Sequence, residues 1–304
     1  MSKLEAYGVH GHLLSWIKSF LMGCKQRVVI NGLESIWKAV SSSVPQGSVL
    51  YINDIVDNLS CTCTAYLFGD DMKLFNGITQ DMDMARLQSD ICAVDAWIDH
   101  WLLKLNAQKC KAMTVSRCNK HRSTGTSYHL AAGGSNHQLQ MVSEEKDLGV
   151  VIDSNLQFDN HILGKVKTAN RILGLIKRCF KNLDINSFLL LYKALVRSHL
   201  EYAQTVWSPY KVKSVEALEG VQRRATKILP GFGNLTYKER LQRLKLPTLV
   251  YRRARGDMIE VYKILHGYYD PEAVPCLQQC IYPTSRGHRW KLYQQQSHLN
   301  CRKY

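Results

Sequence analysis

The chain has 304 residues, 45% of them apolar, with 40 Lys+Arg against 25 Asp+Glu and a net charge of +15. That apolar share, periodic rather than scattered, excludes a disordered polypeptide, and the length suffices for one or two domains with a real core. No apolar run is long enough to cross a bilayer and the first residues, with Lys3 and Glu5, show no signal-peptide pattern, so the expectation is a soluble, intracellular chain of cytoplasm or nucleus with no membrane partner.

From the N-terminus, "LLSWIKSFL" predicts a short amphipathic helix. In "QRVVINGLESIWKAV", Asn31 and Gly32 supply the two positive φ angles of a type I′ turn, so a hairpin is expected. "VPQGSVLYINDIVDNL" opens with the loop Pro45, Gln46 and Gly47 and continues with Val49, Ile52, Val56 and Leu59 at helical spacing. In "YLFGDDMKLF" two apolar runs flank Gly69, Asp70 and Asp71, which predicts a tight β-hairpin with both acids at its tip. Asp and Gly are ordinary turn residues, and a plain turn accounts for the local chemistry. Adjacent carboxylates nonetheless raise the cost of ionising one another, which is unexpected in so basic a chain.

A helix is expected from Met84 to Leu105, with Leu87, Ile91, Val94, Trp97, Ile98, Trp101, Leu102 and Leu105 on one face. "KAMTVSR", "SYHLA", "HQLQMV" and "KDLGVVID" are strand candidates, with Gly133 and Gly134 marking a turn. Beyond Asn155 the pattern is helix after helix, with a capping box at Thr236 and Glu239 and Pro247 placed to open another helix.

Charge divides along the same line. Residues 1–150 hold 14 Lys+Arg and 14 Asp+Glu, whereas residues 151–304 hold 26 and 11, so the whole excess lies in the second half. A one-signed field confined to part of a chain implies a polyanionic partner there. Between Ile162 and Phe180, Ile162, Val166, Ala169, Leu173, Ile176 and Phe180 form an apolar stripe, while Lys167, Arg171, Arg178 and Lys181 project from the other side. A solvated face normally mixes signs; this one has no acid between Asp159 and Asp184, which favours phosphate contact. Arg223, Arg224 and Lys227, and then Arg252, Arg253 and Arg255, repeat the arrangement less cleanly. The ten cysteines show no regular framework, so free thiols without disulfide partners are expected. Cys276, Cys280, His288, His298 and Cys301 have the one spacing that could hold zinc, but it matches no tight C-x-x-C pattern and is read as free thiols.

An acidic doublet upstream of a basic helical half suits phosphoryl transfer to a nucleic acid, in which carboxylates hold divalent ions close together; beside that half, function outweighs the plain turn. In this order, "VPQGSVL", "YINDI", "LFGDDMKLF", "LQSDICAVDAWIDHWLLKLNAQKCKAM", "KDLGVVIDSNLQFDNHI", "NRILGLIKRCF", "LYKALVRSHLEYAQTVWSPY", "LEGVQRRATKIL" and "TSRGHRWKL" resemble the reverse transcriptase of non-LTR, LINE-type retrotransposons of the jockey or CR1 kind. The resemblance implies an α+β fold: a right-hand polymerase palm, here residues 1–155, followed by a basic α-helical thumb and connection, residues 156–304. It implies Mg²⁺ or Mn²⁺ held by Asp70 and Asp71, Pro45, Gln46 and Gly47 near incoming nucleotide and template, and Lys73 near the primer backbone. The implied partners are an RNA template, a DNA primer and deoxynucleoside triphosphates.

This sequence also departs from that family. The family carries another metal-binding aspartate on a strand upstream of "LEAYGVHGHLLSWIKSFL" and an apolar run between the equivalents of Leu50 and Tyr51. Gly69 stands where the family usually has Ala, and Ser43 where it has Gly. Asp54 and Asp57 are read as structural rather than as replacement ligands. The expectation is therefore a truncated reverse transcriptase fragment, inactive by itself. The alternatives are a catalytically dead nucleic-acid-binding protein, or the product of a decayed element without a selected function.

Overall fold

Alternation of period two and spacing of three and four residues set most of the elements, and the computed structural model describes residues 2–40, 53–60, 63–69, 71–101, 103, 105–116, 127–131, 136–271, 273–279 and 291–293. They form a mixed α+β structure in two compact units, one comprising Met1–Ala112 with Lys120–Val142 and the other Met113–Asn119 with Ser143–Tyr304.

The first unit begins with α1 (Ser2–Ala6) and α2 (Gly11–Leu21). Among the described residues α2 buries no side chain: Trp16 and Phe20 stack on each other, and Leu13 shares their outward face. Next come β1 (Lys25–Gln26), β2 (Val29–Ile30), β3 (Leu33–Glu34) and β4 (Lys38–Ala39), nested as two antiparallel pairs, β1 with β4 and β2 with β3. Asn31 and Gly32 take φ of 52° and 80° at the turn, the two left-handed residues that a type I′ hairpin requires.

Of the helical spacing around Val49 to Leu59, the described part is a 3₁₀ helix, Asn53–Asn58, whose Ile55 is buried. The hairpin β5 (Thr64–Phe68) and β6 (Asp71–Phe75) follows. Helix α3 (Asp81–His100) begins where the Asp83 carboxylate accepts from the backbone N–H groups of Thr79 and Gln80, which satisfies donors left open at a helix start. It ends five residues before Leu105, the last apolar residue of the expected helix; Trp101, Leu103 and Leu105 pack on the same core from irregular chain, so their apolar character reports burial and not helix. Two small clusters result, one around Ile55, Val94, Trp97 and Ile98, the other around Ile91, Tyr128, Leu130 and Leu139. The expected strands shrink to pairs of residues: β7 (Lys111–Ala112), β8 (His129–Leu130), β9 (His137–Gln138) and β10 (Gln140–Met141). The turn expected at Gly133 and Gly134 lies outside the described residues.

The second unit opens with the antiparallel hairpin β11 (Glu144–Asp147) and β12 (Val150–Asp153), whose turn residues Leu148 and Gly149 have φ of 43° and 85°. Helices follow: α4 (Asp159–Cys179), α5 (Ile185–Leu191) continuing through a π-helical stretch, Tyr192–Arg197, into α6 (Ser198–Glu201), then α7 (Gln204–Trp207), α8 (Val212–Ala225), α9 (Tyr237–Leu244) and α10 (Leu249–Leu265). One contiguous core, running from Val150 to Leu249 in sequence, holds them together; Tyr192, Val196, Leu200, Leu218 and Val221 are wholly shielded from solvent. The capping box forms as expected, with Thr236 N–H and hydroxyl donating to the Glu239 carboxylate. At α10 the N-cap is Thr248, and Pro247 sits one residue outside the helix.

Candidate nucleic-acid interface and acidic hairpin

The hairpin β5–β6 pairs Phe68 with Asp71, so Asp71 is the first residue of β6 and not part of the tip expected to carry both acids. Gly69 has φ of 62°, the left-handed angle at the first turn position that matches the strand twist and that glycine adopts without steric cost. Alternation then sorts the side chains. Leu67, Met72 and Leu74 pack on the core of the first unit, whereas Tyr66, Asp71, Lys73 and Phe75 share the outward face. Asp71 and Lys73 thus stand two residues apart on one strand and one face, with Asp71 exposed. Tyr66 and Phe75 stack beside them, centroids 5.2 Å apart, an aromatic surface that only the alternation in the sequence could have signalled. Asp70 lies outside the described residues, as do Pro45, Gln46 and Gly47.

Divalent hard cations take oxygen ligands, and the exposed Asp71 carboxylate has that chemistry. Among the described residues, no three His, Cys, Asp or Glu side chains come together as a potential metal site. Of the acids near the hairpin in sequence, Asp54 is held by the Lys3 ammonium at 2.7 Å. The same ammonium lies over the rings of Trp97 and Trp101 at 4.3 and 3.9 Å, so Asp54 belongs to a structural contact that fastens α1 to α3. Asp90 is buried and accepts from the N–H and hydroxyl of Ser60. Burial and the adjacent Asp90 push the Cys63 thiol up to about 11, which keeps it protonated and inert.

In the second unit, α4 turns Ile162, Ala169, Leu173 and Ile176 into the core and leaves Lys167, Arg171 and Arg178 exposed, as is Lys181 two residues past the helix end. None of the four cations makes an ion pair or hydrogen bond among the described residues. Gly164 and Gly174 punctuate the same face with open space around them. On α8, Arg224 donates to the Asn170 side chain of α4 at 3.1 Å, which brings its guanidinium alongside that helix. Arg223 is exposed and stacks over Tyr237 at 5.4 Å. The third basic cluster behaves differently. Arg252 is clamped by both oxygens of Glu201, Arg253 is buried, and Arg255 alone of the three is exposed and unpaired. In Arg252 and Arg253 the basic pattern of "YRRAR" reflects internal packing, not a surface for phosphate.

Sequence reasoning gave no weight to the buried polar groups beneath this surface. His161, on α4, accepts the Val151 N–H through Nδ1 at 3.0 Å and packs on the Trp207 ring at 5.1 Å. Its Nε2 is buried without a partner, and burial, helped by the Lys165 ammonium, lowers its pKa to about 4. Gln222, fully buried, accepts from the Tyr192 hydroxyl at 2.6 Å and donates to Tyr237 and to the Pro247 carbonyl. Glu219 receives the Tyr237 hydroxyl and the N–H of Leu249. Burial and these carboxylate contacts raise the pKa of the Tyr237 phenol, which stays neutral.

Among the described residues, no helix is long and apolar enough to cross a membrane. No protein-family profile matches the chain. No solved structure matches it. Over 212 residues, 64% of its length, the chain is 27% identical to the RNA-directed DNA polymerase from mobile element jockey of Drosophila funebris, and covers 22% of that protein. It is 26% identical over 163 residues, 48% of its length, to the enzyme of the same name from Drosophila melanogaster, of which it covers 17%. The chain thus spans less than a quarter of the length of either relative. The resemblance carried by the motifs is borne out: the chain is related to a segment of the reverse transcriptases of jockey-like, non-LTR mobile elements.

Proposed function

We propose that these residues serve RNA-templated DNA synthesis, the first unit as part of a polymerase palm and the helical second unit as the thumb and connection that grip template and primer. The carrying observation is the row of exposed, unpaired cations Lys167, Arg171 and Arg178 on α4 with Lys181 just past its end, backed by a buried apolar stripe that fixes the spacing on the helix. A rigid helix with charge on one side engages phosphates without reading bases, so binding of RNA and DNA should be strong, insensitive to sequence and sensitive to salt. Asp70 and Asp71 would hold Mg²⁺ or Mn²⁺, which supplies charge neutralisation for nucleotidyl transfer. Lys73, on the same face as Asp71, would approach the primer backbone, and Pro45, Gln46 and Gly47 the template and incoming deoxynucleotide.

By the family's pattern, Asp70 and Asp71 provide two of the metal-binding carboxylates. The 304 residues by themselves should therefore bind nucleic acid without extending a primer. The test of the grip is a fluorescence-anisotropy titration of single-stranded RNA and of a primer–template against salt. With about six phosphates neutralised, affinity should fall by about 10³ or more between 50 and 200 mM salt, and replacing Lys167, Arg171, Arg178 and Lys181 by Ala should flatten the slope. A slope untouched by the four substitutions removes α4 from the interface. Primer extension by the purified chain that disappears in Asp70→Ala would show that two carboxylates suffice or that another acid joins them.

A further inference from the structure

A cavity of about 350 Å³ lies in the second unit between α10 and the segment from Glu201 to Thr205. Both acids that line it are already neutralised. Glu201 is clamped by Arg252 and lies 3.5 Å from Arg197, and Glu260 accepts from Lys263 at 2.9 Å and from the Tyr269 hydroxyl at 2.6 Å. Arg255 lines the same cavity with no ion pair or hydrogen bond among the described residues. The lining balances Glu201 and Glu260 with Arg252 and Arg255, but Glu201 is shared by Arg252 and by Arg197 behind it and Glu260 is held by Lys263, which leaves the Arg255 guanidinium with donors to spare.

The cavity is larger than a phosphate group needs, and its other walls are not built for one. Ala203 and Ile259 give it an apolar side, against which a flat ring can lie. The Gln204 side chain rests so closely on Gly256 that any side chain there would collide with its amide, and its Oε1 is buried with no donor. A ligand that draws this amide outward and donates an N–H or O–H to it gains a bond that the side chain lacks here.

We infer that this cavity between α7 and α10 binds a single phosphate-bearing nucleotide, with the phosphate on Arg255, the ring against Ile259 and Ala203, and a base or ribose donor on the Gln204 carbonyl. The choice of a nucleotide over another phosphorylated ring rests on the reading of the chain as a nucleic-acid-binding protein. The site is separate from the α4 stripe: one takes a backbone along a helix, the other one residue in a cavity.

Calorimetric titration of the full 304-residue chain with 5′-AMP, 5′-CMP, adenosine and inorganic phosphate tests it. Either nucleotide should bind at least about tenfold more tightly than adenosine or inorganic phosphate. Arg255→Gln, a change at an exposed residue, should cost about tenfold in nucleotide affinity while leaving the melting temperature unchanged. Gln204→Leu should weaken the nucleotides but not inorganic phosphate. Nucleotides binding no better than phosphate, or an unchanged affinity in Arg255→Gln, would overturn the inference. The α4 quadruple-alanine variant separates the two sites: it should lose affinity for a 20-nucleotide RNA and keep its affinity for 5′-AMP. Oligonucleotide binding retained in that variant would undo the α4 reading and leave the cavity standing, whereas 5′-AMP affinity lost with the stripe would mean that the nucleotide sits on α4.

Discussion

Protonation of His161 should undo part of the helical unit. Its Nδ1 accepts the Val151 N–H, so the neutral ring carries its proton on Nε2. A second proton would set two N–H groups against each other and place a charge in the core beside Trp207 and near Lys165. The folded pKa is about 4 against an ordinary 6.5, so between these values the unfolded chain binds the proton and the folded chain does not. Stability from this residue is therefore complete above about pH 6.5 and is lost as the pH falls toward 4. At about 1.4 kcal/mol per pH unit, and with both titrations counted, lowering the pH from 7.5 to 4.5 should remove about 2.5 kcal/mol. Urea denaturation followed by far-ultraviolet circular dichroism measures it, with His161→Asn as the reference, since the Asn carbonyl keeps an acceptor for Val151 but does not titrate. Carboxylates such as Asp184 and Glu239, which are held below their usual range by N-cap hydrogen bonds, titrate in both proteins and cancel. The stability difference between the two should shrink by about 2.5 kcal/mol across that range. Two parallel pH profiles would show that the histidine is solvated or already charged, and the reasoning would fail.

Other perturbations test other parts of the molecule. Gln222→Leu leaves the hydroxyls of Tyr192 and Tyr237 and the Pro247 carbonyl short of a partner, and should cost about 3 kcal/mol in the same denaturation assay. Gly149→Ala meets a φ of 85° and the Tyr202 ring 3.2 Å from the new methyl carbon, so a loss of about 1–2 kcal/mol is expected; an unchanged midpoint would mean that the β11–β12 turn relaxes freely. Limited proteolysis should digest the first unit, with its two four-residue cores, before the second, whose single core spans Val150 to Leu249; survival of an N-terminal fragment would reverse that order of stability.

Legibility in the sequence followed the kind of signal each element depends on. Helix α4 was readable because a single stripe of Ile162, Ala169, Leu173 and Ile176 both sets its period and fills the core. The Asn31–Gly32 turn and the Thr236–Glu239 cap were readable because their chemistry is local. The end of α3 was not, since apolar residues past His100 pack equally well from irregular chain. Nor were Glu219 and Gln222. They occupy core-facing positions of α8 beside Leu218 and Val221, and what makes them tolerable there is a set of partners 15 to 30 residues away. Arg252 and Arg253 misled for the same reason: a cation written in the sequence does not say whether a carboxylate such as Glu201 waits for it. At the acidic hairpin the two apolar runs announced the strands, but both acids were expected at the tip, whereas Asp71 is the first residue of β6, paired with Phe68, and shares with Lys73 the face away from the core.

The outward face of α2 bears on how this protein behaves as a colloid. Leu13, Trp16 and Phe20 on that helix, and Ile30, Leu33, Ile36 and Trp37 on the hairpins beyond it, present apolar surface to water in a molecule whose net charge is +15. Mutual repulsion among copies keeps such surfaces apart at low ionic strength, and that repulsion decays within about 8 Å at physiological salt. Salt therefore acts twice: it loosens phosphates from the cations and lowers the barrier to self-association through the greasy patches. The two effects have opposite concentration dependence. More protein opposes release of nucleic acid by mass action but promotes clumping, and light scattering recorded beside each anisotropy reading resolves one from the other.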